Sequence, residues 1–221
     1  MTYSIHLSLG STIGDIDAVA HAVKNGADVN QQDGEPLIEA IKAGDMRMVQ
    51  TLIELGADVN QPQHGQWGIP LKVAAEKGNV EILTYLLDHG ADRYDQAIGA
   101  AVSLGKTDIL RTLKDRGIAL QVQSQHLTHC LSMRYEATAL YLVENGHELT
   151  DHQVLTAVHN ELNQVLSYLT HYTDYLPSQA TYDSLMGSEY EWFLHAIANR
   201  ELNKTLNRIM TPRFKEQVRK I

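Results

Sequence analysis

A return after 34 residues is the feature that most constrains this chain. Pro36-Leu37-Ile38-Glu39-Ala40-Ile41-Lys42-Ala43-Gly44-Asp45 comes back as Pro70-Leu71-Lys72-Val73-Ala74-Ala75-Glu76-Lys77-Gly78-Asn79. Each copy runs on into an apolar segment that closes on Gly-Ala-Asp, at Gly56-Ala57-Asp58 and at Gly90-Ala91-Asp92. A unit of this length holds a first helix, a Gly-polar break and a second helix. Its apolar stripe cannot be buried within one unit, so copies must stack. Proline suits the first turn, where its missing N–H costs nothing. Glycine just past the last turn takes the left-handed conformation that satisfies orphan carbonyls. Positive φ is therefore expected at Gly90, with Leu86 in the shared core.

The same punctuation reaches in both directions. Gly14-Asp15 matches Gly44-Asp45, and Ile16, Ala18, Val19, Ala22 and Val23 fall on one helical face, closed by Gly26-Ala27-Asp28-Val29-Asn30. Residues 1–13 read as a worn first helix. After Asp92 the spacing shortens: Gly105-Lys106 follows Gly78-Asn79 by 27 residues, and Arg134-Tyr135 follows by 29 more. Leu110, Leu113 and Gly117, then Ala139, Leu142, Val143 and Gly146, carry the stripe onward, with Cys130 where Ala74 stood. Gln153 to Leu169 makes a fainter sixth unit. Asn160-Glu161-Leu162-Asn163 resembles Arg200-Glu201-Leu202-Asn203, which predicts a seventh pair, Trp192–Ala198 and Glu201–Met210. Between them, His171 to Glu189 is too long for a plain connection. It reads as loop, with room for a short helix over Gln179–Met186.

On these residues the chain resembles the ankyrin-repeat family. The resemblance implies an all-α, ankyrin-type helical solenoid with short β-hairpin fingers in its N-terminal half. Units at residues 1–170 would be followed, over residues 171–221, by an insertion, a degenerate helix pair and a basic tail packed on the same solenoid. The family's Thr-Pro-Leu-His opening is here Glu35-Pro36-Leu37-Ile38 and Ile69-Pro70-Leu71-Lys72, so the bonds of that Thr and His need substitutes. The later, shorter units resemble finger-less repeats. The resemblance also implies function: a non-enzymatic, monomeric scaffold binding another protein on its finger and helix surface. The divergent repeats are similar to those of ankyrin proteins from intracellular bacteria and large viruses that act on host proteins.

Charge separates the possible partners. The chain carries −9 overall, yet residues 200–221 hold seven of the 18 Lys and Arg against two of the 27 Asp and Glu, leaving −14 on the rest. No Lys or Arg occurs from Tyr135 to Asn199, where nine Asp and Glu do. An acidic body argues against nucleic acid, which demands a basic surface. The clustered cations Lys215, Arg219 and Lys220 suit an anionic membrane surface or the chain's own acidic stretch. No leader is evident in residues 1–20, nor any run of about 18 apolar residues, and a single cysteine excludes an internal disulfide, so a cytoplasmic protein is expected (host cytosol for a secreted effector).

Candidate sites follow from position. Trp67 stands between glycines in the longer inter-unit loop, ten residues from Asn60 to Pro70 against six from Asn30 to Pro36, with His64 and Gln66 beside it. It is either a presented binding anchor or a pin for its own loop. Glu136, Glu144, Glu148 and Asp151 form either a solvated face or an acidic groove for a basic partner segment. The resemblance implies asparaginyl hydroxylation at Asn30 and Asn60; a turn residue bonding its own backbone is the simpler reading. His126, His129 and Cys130 share a helical face, but a structural zinc site wants four ligands and no second Cys exists, so no metal is expected. Phosphate-loop, nucleophile-elbow and His-Glu-x-x-His patterns are missing, and no cofactor is expected. The 171–189 insertion is the place where a catalytic or regulatory element would sit.

Overall fold

The computed structural model describes residues 2–61 and 69–209, the last four by backbone alone. Among the described residues there are fourteen helices and no strand. Two compact units divide the chain, residues 1–127 and 128–221. The first holds four helix pairs: α1 (Thr2–Ile13) with α2 (Ile16–Lys24), α3 (Gln31–Ala43) with α4 (Met46–Glu54), α5 (Pro70–Lys77) with α6 (Val80–Asp88), and α7 (Tyr94–Ser103) with α8 (Thr107–Asp115). First helices pack in succession, α1 on α3, α3 on α5 and α5 on α7, and second helices do the same. The division falls inside α9 (Ser124–Ser132), after which come α10 (Glu136–Glu144), α11 (Asp151–His159), α12 (Asn163–Tyr172), α13 (Gln179–Leu185) and α14 (Glu191–Ile209). In the second unit α10 packs on α12 and α12 on α14.

One corner is built six times. A small buried residue near the end of the first helix offers its carbonyl to the N–H five residues on. The pairs are Gly10–Asp15, Ala40–Asp45, Ala74–Asn79, Ala101–Lys106, Cys130–Tyr135 and Ala157–Leu162, at 2.8–3.1 Å. The residue before each of these donors is left-handed, at φ 78, 73, 71, 67, 61 and 58° for Gly14, Gly44, Gly78, Gly105, Arg134 and Glu161. In the first three corners the donor residue also caps the second helix: Asp15, Asp45 and Asn79 accept from the N–H three residues on at 2.9–3.0 Å. Lys106, Tyr135 and Leu162 provide no such cap. The backbone geometry thus outlasts the sequence signature that announces it, with Arg134 and Glu161 held in a conformation that disfavours a Cβ.

The second helices end as expected. Gly90 has φ +88°, and Ala91 N–H bonds Leu86 O at 3.0 Å across it, while the Leu86 side chain is completely buried. Where a finger was expected after Asn30, the chain instead makes a tight turn through three left-handed residues, Gln32, Asp33 and Gly34, directly into the helical run. Six residues leave no length for two paired strands. The other expected finger, residues 62–68, lies outside the described residues. The missing Thr and His are answered in the first unit by Glu35, whose carboxylate accepts from Ser8 Oγ at 2.7 Å, one repeat back.

The seventh pair differs from expectation. Helix α14 runs unbroken through Arg200-Glu201, and α13 takes the role of its first helix, packing against it. Asn160 ends α11 by turning its amide back on Thr156 O at 3.0 Å. Arg200 instead reaches outward, donating to Leu169 O at 2.9 Å and Tyr175 O at 2.6 Å, with further bonds to Thr170 and Thr173 carbonyls. It satisfies the orphan carbonyls ending α12, a job that a helix-breaking residue in its place would forfeit.

Candidate interaction site

Asn30 and Asn60 do more than close a turn. Asn30 Nδ2 donates to Gly56 O at 3.2 Å and its Oδ1 accepts from Asp58 N at 2.8 Å. Asn60 repeats this one unit later, to Gly90 O at 2.8 Å and from Asp92 N at 3.0 Å. Each amide therefore clasps the next repeat's turn, rather than its own backbone, which sets the spacing of successive corners. The next equivalent position is Tyr94, and the clasp series stops there.

The four acidic candidates divide into two roles. Glu136 accepts from Gln164 N at 2.7 Å and so caps α12 from the preceding repeat, where Leu162 cannot. Asp151 accepts from Tyr175 OH at 2.6 Å and from Ser178 N at 3.0 Å. Hydrogen bonds from Ser178 and Tyr175 hold its carboxyl below the ordinary carboxylate range. Burial, and then the bond to Asp151, push the Tyr175 hydroxyl upward. Asp151 on one side and Arg200 on the other thus pin residues 173–178, the first part of the insertion.

Glu144 and Glu148 are free of such duties. They are exposed, Glu144 ending α10 and Glu148 on the turn after it, and they line a groove of about 400 Å³ together with Tyr168, Leu169 and Tyr172 of α12 and residues 173–175. Tyr168 and Tyr172 stack at 5.0 Å between ring centres, 29° between planes, and Tyr172 is 75% exposed. Asp174, at the rim, is paired to Lys204. Sequence reasoning named the carboxylates and missed the tyrosines. The spacing of Tyr168, Tyr172 and Tyr175, four and then three apart, is the signal that was there to find.

The remaining candidates are quickly placed. Trp67, His64 and Gln66 lie outside the described residues, as do Lys215, Arg219 and Lys220. Two members of the histidine-cysteine set are taken up in packing. His126 lies so close over Gly99 that a Cβ there would stand 2.9 Å from its ring. Cys130 is fully buried, and burial pushes its thiol up to about 12. No group of three His, Cys, Asp or Glu able to hold a metal occurs among the described residues. Nor is any helix there long and apolar enough to cross a membrane.

Comparison with known proteins bears on the N-terminal unit. Residues 7–96 match the ankyrin-repeat family model in three copies. Similar proteins include the mouse 2-5A-dependent ribonuclease, 45% identical over 62 residues, which are 28% of this chain and 8% of that protein. Regulatory protein NPR5 of Arabidopsis thaliana is 37% identical over 89 residues, 40% of this chain and 18% of that one. Human protein phosphatase 1 regulatory subunit 27 is 31% identical over 84 residues, 36% of this chain and 54% of that one. The chain thus spans about half, or much less, of the length of these relatives. With the corners and the first and second helices stacked as described, residues 7–96 are three ankyrin repeats. Ankyrin repeats are a protein-interaction scaffold, and these residues are built as one.

Proposed function

We propose that the chain is a non-enzymatic adaptor that holds another protein along the surface made by its first helices and inter-repeat turns. The observation that carries this reading is the repeated corner. Copies of one turn geometry give each helix pair the same form, and in the first unit first helices pack on first helices and second on second, which is how a solenoid presents its surface. Trp67 and its neighbours His64 and Gln66 are proposed as the anchor in the first unit, since interfaces concentrate energy in a few residues and Trp is enriched among them.

Cross-linked capture from eukaryotic cytosol tests both this and the host-directed role that the resemblance implies. A partner retained by the full chain and lost with Trp67→Ala, at unchanged melting temperature, supports the reading. A lowered melting temperature with capture intact makes Trp67 a pin for its own loop. Capture equal for the full chain and for a heat-unfolded control removes the scaffold reading itself.

A further inference from the structure

The groove between the α10 turn and α12 has a chemistry that the scaffold reading does not use. Its wall is a pair of stacked tyrosines, one with an open outer face. Its rim carries Glu144 and Glu148, neither with an ion-pair partner among the described residues. Of the cations that reach residues lining the groove, Lys204 is committed to Asp174 and Glu201, and Arg200 is spent on the carbonyls of Leu169, Thr170, Thr173 and Tyr175. Two carboxylates that share a groove with an aromatic pair, in a stretch of 65 residues with no Lys or Arg of its own, are left without the charge that would complement them. Part of the lining is fixed too: Asp151 and Arg200 hold Thr173 and Tyr175, so a ligand meets a formed groove rather than having to order one.

We propose that this groove receives an arginine side chain from an extended basic segment of the partner protein. The planar guanidinium stacks on Tyr172 while its N–H groups donate to the Glu144 and Glu148 carboxylates. A planar, forked cation matches an aromatic face and paired carboxylate oxygens together, whereas a lysine ammonium is a compact, strongly hydrated point charge. The assignment rests on the scaffold reading, whose partner would supply the segment.

The test is fluorescence anisotropy of the full chain with three labelled octapeptides, GGRGGRGG, its lysine counterpart and its citrulline counterpart. Citrulline keeps the shape of arginine and removes its charge. The arginine peptide is expected to bind at least tenfold more tightly than either of the others. Tyr172→Ala, and separately Glu144→Gln with Glu148→Gln, should each weaken it about tenfold, while Tyr172→Phe keeps it. The control is Glu54→Gln with Glu81→Gln, two exposed carboxylates of the first unit that remove the same net charge. Equal loss in the control would mean that net charge alone draws the peptide, and equal binding of the lysine peptide would remove the stacked guanidinium. Either overturns the proposal, as does indifference to Tyr172→Ala. Binding that appears only after residues 210–221 are removed would give the groove to the chain's own basic tail. The peptides read the groove directly, so a failed groove with successful capture leaves the scaffold standing.

Discussion

Replacing Arg134 by glycine should stabilise this protein, although it deletes a side chain and an ion pair. Arg134 sits at φ 61° in a corner where the equivalent residues of four earlier repeats are glycines. A Cβ in that conformation costs roughly 1–2 kcal/mol. Against the relief stands the greater freedom that glycine gives the unfolded chain, about 0.4–1 kcal/mol. The lost contact is Arg134–Glu161 at 3.6 Å, with both side chains more than half exposed, so it contributes only about 0–0.5 kcal/mol. The expected balance is a gain of about 0.5 kcal/mol, and Glu161→Gly, at φ 58°, should match it. Because the ion pair is lost once, the double variant should gain slightly more than the two singles summed. Gly90→Val runs the same physics backwards: φ is +88° and nothing lies within 4 Å of where its Cβ would be, so a left-handed penalty of about 1–2 kcal/mol is offset by about 0.4–1 kcal/mol from the stiffer unfolded chain, a net loss. Urea titration of all four variants, at unchanged slope, reads these differences in the midpoint. If both glycine variants are destabilised while Gly90→Val is harmless, the left-handed corners are not strained and the reasoning is wrong.

Asn60→Ala removes two bonds between repeats and should cost about 1–2 kcal/mol in the same titration, whereas Asn163→Ala, an exposed residue opening α12, should cost far less. Asp151→Asn should loosen residues 173–178 at neutral pH, with proteolysis in that segment as the readout. Since the folded carboxyl titrates below its ordinary 3.8, its contribution is present above that pH and is lost as pH falls through the lower folded value. Wild type and variant should therefore converge in acid. Cys130, fully buried and with its thiol pushed up to about 12 by that burial, should react with an aromatic disulfide far more slowly in the native protein than in urea.

The sequence located corners that it had no conventional means of announcing. Arg134 and Glu161 are not glycines, yet the stripe and the small residue four positions earlier, Cys130 or Ala157, kept the register visible. Local patterns failed where a distant group decided the outcome. Arg200-Glu201-Leu202-Asn203 looks like a break because its near copy at Asn160 is one. Only the carbonyls ending α12, some thirty residues earlier, explain why α14 continues. The groove was half legible for the same reason. Carboxylates stand out in a stretch without cations, but that Glu136 and Asp151 are occupied within the fold, while Glu144 and Glu148 are not, depends on partners 24–28 residues away.

The clasps at Asn30 and Asn60 have a consequence for how the first unit comes apart. Both are bonds between neutral amides and backbone, so dissolved salt leaves them essentially unchanged. At the next joint no asparagine is available, and the link between the ends of α6 and α8 is an exposed ion pair, Arg116 with Asp88 at 2.5 Å. Its attraction fades as the screening length shrinks from about 10 Å at 0.1 M to about 3 Å at 1 M. Ionic strength should therefore act on one joint of three. Amide exchange at Asp58 and Asp92 should stay slow in concentrated salt while the α8 end begins to fray, making salt a tool for opening this array from a chosen side.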